Sequence, residues 1–387
     1  MSTVDIISGA IRRFARTVSG VIALGICALS AVVSVSGCSK EGDAPEPKVF
    51  GGPANVTLIL SSGGGESVGA GTRVQSGADL NVDEEDIIRC IKIFAFKHDP
   101  GGSQYDEMVG YASFDGLGGS GRHYLPMSLT ASGDIDFYVI ANDIYAESTT
   151  VLGENSGRSD IEGLRFTGLQ SVDGVCAIPM TNIIGDRTAI GSNNFTFKIE
   201  ESSSDAPQLI PIDVTRAMAR LSFYFAKTEQ STEVSVNSIS IAEQGPGSAG
   251  CFTADGAPDG YYSQDSSIGL FDTKTTIEEV NPDGYLDEEY LQYLSDADSY
   301  LLPNTYGSDD PDELPPGTGY QTFMYVYTVY VNYSVNGSEK TKTIYLPAVS
   351  PNDWIKVKGI FNTSVDDVEL DVVALYWEQS NMDIEFN

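Results

Sequence analysis

The sharpest constraint in this chain is a run of two-residue alternation that ends on an Asn-Gly pair. Phe323, Tyr325, Tyr327, Val329, Val331, Tyr333 and Val335 occupy every second position, and Asn336-Gly337 follows at once. Period two places these side chains on one face of a strand. Asn-Gly is the preferred two-residue type I′ hairpin turn, and such a turn fixes the register of the returning strand. Val335 should therefore face Ser338, Tyr333 should face Lys340, Val329 should face Ile344 and Tyr327 should face Leu346. The pairs far from the turn are apolar, and those near it lay lysine stems over aromatic rings.

The same grammar recurs along the chain. Val56, Leu58 and Leu60 share one face of a short strand at 55–60. Ile91 to Phe96 reads as a strand, and Phe137 to Ala141 reads as a central one, apolar on both faces. Leu221 to Phe225, Val368 to Trp377 and the alternating Met382, Ile384 and Phe386 add three more. Only the acids at 83–86 suggest a helical turn, since carboxylates favour a helix start. With 20 Tyr, 16 Phe and 40 Gly in 387 residues, composition agrees with an all-β chain of strands and turns. Its length suggests two domains. The polar stretch Glu200 to Asp205 is the candidate boundary, giving an N-terminal domain at 74–205 and a C-terminal one at 206–387.

The N-terminus reads as an export signal. Arg12, Arg13 and Arg16 precede an uncharged, apolar run from Val18 to Gly37, and small residues lead to Cys38. Val35-Ser36-Gly37-Cys38 resembles the lipobox of bacterial lipoproteins. That resemblance implies a signal peptide at 1–37, cleavage before Cys38, and acyl chains on its sulfur and new amine that hold the chain on a membrane. The alternative is an unprocessed N-terminal membrane helix. Removing 1–37 takes away three Arg and one Asp, which leaves 19 basic and 54 acidic side chains and a net charge of −35. Such a surface repels phosphate backbones, so nucleic acid is excluded as a partner.

Residues 39–52 read as a polar, proline-punctuated tether. From Ser61 to Thr72, five glycines in twelve residues leave no stable element, and Arg73 closes the stretch as the one basic residue between Lys48 and Arg89. Between Lys274 and Lys340 there is no basic residue, and acids and tyrosines accumulate. The expectation there is an acidic surface insertion at 275–320. Asp296-Ala297-Asp298 lacks the glycine and closing Glu of a calcium loop, so a solvated loop is the simpler reading. Of five cysteines, Cys27 leaves with the signal, and Cys90, Cys176 and Cys251 have no metal or disulfide spacing. Cys90, in an apolar run, is expected as a buried thiol.

Two motif matches carry no chemistry. Gly65-Glu66-Ser67-Val68-Gly69 fits G-x-S-x-G, but glycines surround the serine where a strand and helix are needed. Gly116 to Gly121 fits G-x-G-x-x-G with no helix to follow. His98 and His123 are the two histidines. No enzyme, cofactor or metal is expected.

Several short stretches, taken in order, resemble the fimbrillins of Bacteroidales, pilus subunits made as lipoprotein precursors. They are the lipobox at Cys38, the strand Val56–Leu60 and the glycine-rich link to Thr72-Arg73. Next come Glu85 before Ile91-Lys92-Ile93-Phe94, then Tyr138 to Asn142, Val214 to Ala219, Asn352 to Val357 and the strand with Trp377. The resemblance implies two tandem transthyretin-like β-sandwich domains on the cell surface, with the precursor lipid-anchored to the outer membrane. It implies an assembly route as well. An arginine-specific surface protease cuts at Arg73, the strand of Val56, Leu58 and Leu60 leaves with the segment 38–73, and a C-terminal strand of another subunit takes its place. The donor is then Met382, Ile384 and Phe386, or Val368–Trp377. Other fimbrial subunits and the protease are the implied partners. The alternatives are an uncut exposed loop at Arg73 and an ordinary edge strand at the C-terminus.

A second reading is a non-polymerising outer-membrane lipoprotein that binds glycans on Tyr261, Tyr262, Tyr285, Tyr290, Tyr293 and Tyr300. That reading needs an exposed, coplanar pair of rings.

Overall fold

The computed structural model describes residues 49–62, 88–117, 122–142, 146–147, 152–167, 170–171, 178–182, 194–253, 256, 258–259, 262–312, 325–362 and 367–376. Up to the middle of the chain the elements are β1 (Ala54–Ser62), β2 (Cys90–Lys97), β3 (Met108–Asp115), β4 (His123–Leu129), β5 (Gly133–Ala141), β6 (Ala146–Glu147), the short helix α1 (Arg158–Glu162), β7 (Arg165–Thr167), β8 (Gln170–Ser171), β9 (Met180–Thr181), β10 (Thr196–Ile199) and β11 (Gln208–Arg216). There follow β12 (Ala219–Lys227), β13 (Val234–Gly245), β14 (Ser248–Gly250), β15 (Tyr262–Phe271), β16 (Thr275–Thr276), β17 (Gln292–Tyr293), β18 (Ser299–Leu301), β19 (Thr328–Val335), β20 (Ser338–Tyr345), β21 (Asp353–Asn362) and β22 (Asp367–Tyr376). The fold is all-β, as the alternation requires.

Strands β1 to β5 and β9 to β11 form one hydrogen-bonded sheet in the order β3-β2-β5-β9-β11-β1-β4, with β10 also on β5. The sheet doubles over on itself. Ile91, Ile93, Phe137 and Val139 from one end pack against Val56, Leu58, Leu60, Leu125 and Ile212 from the other, in one apolar core. Where its two ends meet, the Thr130 amide after β4 donates to the Val109 carbonyl of β3 at 2.8 Å. In the later half, the sheet β22-β21-β12-β18-β8 covers the sheet β15-β13-β19-β20. Leu221, Phe223, Ile355 and Val357 meet Val236, Ile239, Val329 and Ile344 between them.

The hairpin of β19 and β20 has the expected register: Val335↔Ser338, Tyr333↔Lys340 and Val329↔Ile344 are opposed, and the Leu346 amide donates to the Tyr327 carbonyl at 2.9 Å. Asn336 and Gly337 have φ of 49° and 81°, the left-handed pair that a type I′ turn demands.

Phe94, Phe96, Tyr138 and Ile140 fill the second face of β2 and β5 and lie in a third core with Ile161, Phe166, Met218, Tyr300 and Leu302. That cover explains why Phe137–Ala141 is apolar on both faces. Beneath it Asp136, 1% exposed, accepts from the Arg158 guanidinium at 2.8 Å and from the Thr196 hydroxyl at 2.6 Å, and pairs with His98 Nδ1 at 2.8 Å. Arg158 reaches on to the Tyr105 and Lys97 carbonyls, each at 2.9 Å. The buried ion pair thereby ties α1 and the loop after β2 to the sheet.

β11 lies beside β1, and β12 opens the next sheet, so the chain passes from one sheet to the next at Ala217–Met218. Pro211 and Asp213 weakened the strand signal of β11. Two expectations need correction, on the stretch 275–320 and on Cys90. The stretch 275–320 is not a surface insertion throughout. Leu294, Ala297 and Leu301 are core residues, and β18 pairs with β12. Asp298, 4% exposed, faces Arg220. Among the described residues of this stretch, apolar side chains spaced among acids sit inward while most acids point out, and the one buried acid, Asp298, has a cation. Cys90 is half-buried, not buried. It shares its face of β2 with Lys92, before the cover that begins at Phe94. The acids at 83–86 and Cys176 lie outside the described residues.

Candidate functional site

The strand β1 lies in the lane between β11 and β4. It runs parallel to β11, from Val56↔Gln208 to Ser62↔Val214, and antiparallel to β4, from Ala54↔Leu129 to Leu60↔His123. Alternation decides what each side does. Ala54, Val56, Leu58 and Leu60 point into the core, each no more than 1% exposed. Asn55, Thr57, Ile59 and Ser61 point outward and are half-buried.

The polar ends of the strand are tied to β11 and its approach. The Asn55 amide donates to the Ser202 hydroxyl at 2.9 Å, and that hydroxyl donates to the Asn55 carbonyl at 2.7 Å. Ser128 donates to the Asn55 side chain at 2.8 Å. At the other end the Ser61 hydroxyl donates to the Asp213 carboxylate. Between these ends no side chain of β1 is charged, so the lane is specified by shape and backbone alone.

Both neighbours of β1 come from far along the chain. β4 begins at His123 and β11 at Gln208, whereas β1 ends at Ser62. Nothing but the connection at 63–89 joins β1 covalently to the strands that hold it. Arg73 falls in that connection and lies outside the described residues, as do Cys38, Met382, Ile384 and Phe386. The structure thus places Val56, Leu58 and Leu60 together in the lane and leaves the other expected site residues undescribed. The second donor candidate, Val368–Trp377, is almost wholly β22. It pairs over ten residues with β21, from Asp353↔Tyr376 to Asn362↔Asp367, at the margin of its own sheet.

Two stretches singled out in the sequence meet in space. Arg216 is fully buried at the end of β11, and its guanidinium donates to the Asn352 side chain at 3.1 Å. The Asn352 amide donates to the Met218 carbonyl at 3.1 Å. Close by, Arg220 lies over the Trp354 ring, 4.7 Å from its centre. This cluster joins the two sheets where the chain passes from one to the other.

The tyrosines do not form a sugar platform among the described residues. Tyr300 is 2% exposed, and Tyr293 stacks on buried Tyr224, with ring centres 4.9 Å apart. Tyr285 and Tyr290 are exposed, but their rings are tilted by 43°. Tyr261 lies outside the described residues. Among those residues, no three His, Cys, Asp or Glu side chains are gathered to hold a metal.

Sequence reading missed the flanks of the lane: Pro126 opposite Thr57, Pro211 opposite Ile59, and Asn194 beside Asp213. The prolines were visible as residues but not as neighbours of β1, since pairing across 69 positions at Thr57↔Pro126 and 152 at Ile59↔Pro211 leaves no local signal.

No family model matches the chain, and no curated relative matches it. Solved structures of Bacteroidales fimbrial and adhesion proteins are similar to it. A candidate cell adhesion protein from Parabacteroides distasonis is 14% identical, with a TM-score of 0.48, covering 86% of this chain and 99% of its own. The tip fimbrial protein Mfa3 from Porphyromonas gingivalis, with a C-terminal truncation, is 10% identical, with a TM-score of 0.46, covering 84% and 100%. The fimbrial anchor protein Mfa2 from Porphyromonas gingivalis is 11% identical, with a TM-score of 0.33, covering 84% and 99%.

Proposed function

We propose that this chain is a structural and adhesive subunit of a cell-surface fimbrium, assembled by exchange of β1. The observation that carries the proposal is the placement of β1. It is a central strand ahead of Arg73 in sequence, and both strands that hold it come after Arg73. A cut at Arg73 removes the one covalent tie between β1 and its sheet.

The energetics support a trigger. Burying Val56, Leu58 and Leu60 contributes roughly 1.5–3 kcal/mol each, so about 5–9 kcal/mol together. A whole domain is stable by only about 5–15 kcal/mol. Loss of β1 also leaves the facing edges of β4 and β11 unpaired, and unpaired edges bind other strands. A donated strand with the same alternation restores both terms. Met382, Ile384 and Phe386 have that spacing, so the C-terminal segment of another copy is the donor in this scheme. The signal and Cys38 place the precursor on the outer membrane through lipid, and a surface arginine-specific protease releases it for assembly.

Limited digestion of the purified precursor with an arginine-specific protease tests this. The expected outcome is a nick after Arg73 followed by SDS-resistant oligomers, neither of which Arg73→Gln gives. A nicked chain that stays monomeric contradicts the proposal. The glycan-binding reading has no supporting ring geometry among the described residues.

A further inference from the structure

The lane of β1 has a second property, set by which way the backbone groups point. In an antiparallel pair, two opposed residues either exchange both hydrogen bonds or exchange none. Pro126 has no N–H, so Thr57↔Pro126 is of the second kind. The backbone groups of Pro126 therefore point away from β1, and those of Thr57 point toward β11. By alternation Asn55 and Ile59 also point toward β11, and Tyr124, Ser128 and Thr130 point away from β1. Two contacts agree with this phase: Asn55 bonds Ser202 through both its amide and its carbonyl, and the Thr130 amide bonds Val109 of β3.

The same phase orients β11. Ile59 bonds toward β11, so its partner Pro211 points away from β1. Asp213, two residues on, agrees: its amide donates to Asn194 Oδ1 at 2.8 Å, and its carbonyl accepts from Asn194 Nδ2 at 2.7 Å. Both prolines thus withhold a donor on the side away from β1 and cost the β1 ladders nothing. Both are exposed. Among the described residues no strand but β1 pairs with β4, and β9 meets β11 only at Thr215 and Arg216.

We infer that Pro126, Pro211 and Asn194 are specificity residues that close the two outer edges, so that an incoming strand can pair only in the lane of β1. On the outer edge of β4, Thr130 is taken up by β3 and Pro126 interrupts the ladder midway. On the outer edge of β11, Asn194 caps Asp213 through both backbone groups and Pro211 interrupts the ladder two residues before it. Proline on an edge strand is a known guard against edge-to-edge pairing. Here two guards stand either side of one unguarded position. The inference rests on the strand-exchange reading for its purpose, but not for its test.

The test uses the uncut chain, in which β1 stays in place. Pro126→Thr and Pro211→Thr each restore one outward N–H. Oligomeric state is followed by light scattering over a concentration series, and protection of the new amide by hydrogen exchange. The expected outcome is a monomeric parent and variants that associate at about tenfold lower concentration or below, with the new amide protected only in the associated form. Variants that stay folded and monomeric with a freely exchanging amide overturn the inference. Failure of both variants to fold also overturns it, because the prolines would then be needed for the strands themselves. If the variants associate but the nicked parent does not polymerise, strand exchange fails and the edge guards stand. If the nicked parent polymerises but the variants do not associate, the reverse holds.

Discussion

Asp136 and Asp298 show what single buried charges do in this protein. Asp136 gathers Arg158, Thr196 and His98 at 2.6–2.8 Å. Taking away one partner of a buried ion pair strands the other, at about 3–5 kcal/mol. Asp136→Ala should therefore lower stability to urea by about that amount, and Asp136→Ala with Arg158→Met should lower it less than the single change. Equal losses in the two variants would mean that the pair itself contributes little. Asp298 behaves differently. Burial pushes its carboxyl above the ordinary 3.8, against the opposing pull of Arg220. The folded form then holds a proton that the unfolded form has released. Stability falls as pH rises from 3.8 toward the raised value and stays lower above it. Asp298→Asn cannot titrate, so the difference in unfolding free energy should shift against the parent as pH rises from 3.8. A constant difference would contradict this. Neither carboxylate is legible in sequence: Asp136 sits in a strand run, Asp298 in an acidic stretch, and only the fold brings the arginines to them.

Among the elements, the register of the β19–β20 hairpin was legible, because Asn336-Gly337 fixes it locally. The start of the strand was not: β19 begins at Thr328, after Tyr325 and Tyr327, and Phe323 lies outside the described residues. The alternation of Val56, Leu58 and Leu60 identified β1 and its buried face, but not its neighbours. Pairing of β1 with Gln208–Arg216 joins residues 152 apart at Val56↔Gln208, and nothing near either strand encodes it. The same blindness hid β18 inside an acidic run. The lane makes an element-scale prediction. Leu58→Ala should cost the precursor about 2–5 kcal/mol and leave the stability of the assembled polymer unchanged, because β1 is gone from it. Leu125→Ala, on the β4 wall of the same core, should weaken both. Urea unfolding of the two forms reads the difference, and equal losses for Leu58→Ala in precursor and polymer would contradict the departure of β1.

Across the described residues, the doubled sheet of the first half and the pair of facing sheets of the later half share an apolar core of Phe94, Tyr138, Met218 and Tyr300. Loss of one central strand therefore opens a slot in an otherwise braced body. The most direct measurement is hydrogen exchange at Leu125, Met127, Ile210, Ile212 and Val214, the amides of β4 and β11 that face β1, in three states: intact precursor, nicked chain freed of 38–73, and assembled polymer. The account predicts protection, then loss of protection, then protection again. Continued protection after the 38–73 fragment has left would contradict it, for the walls of the lane would then not depend on β1.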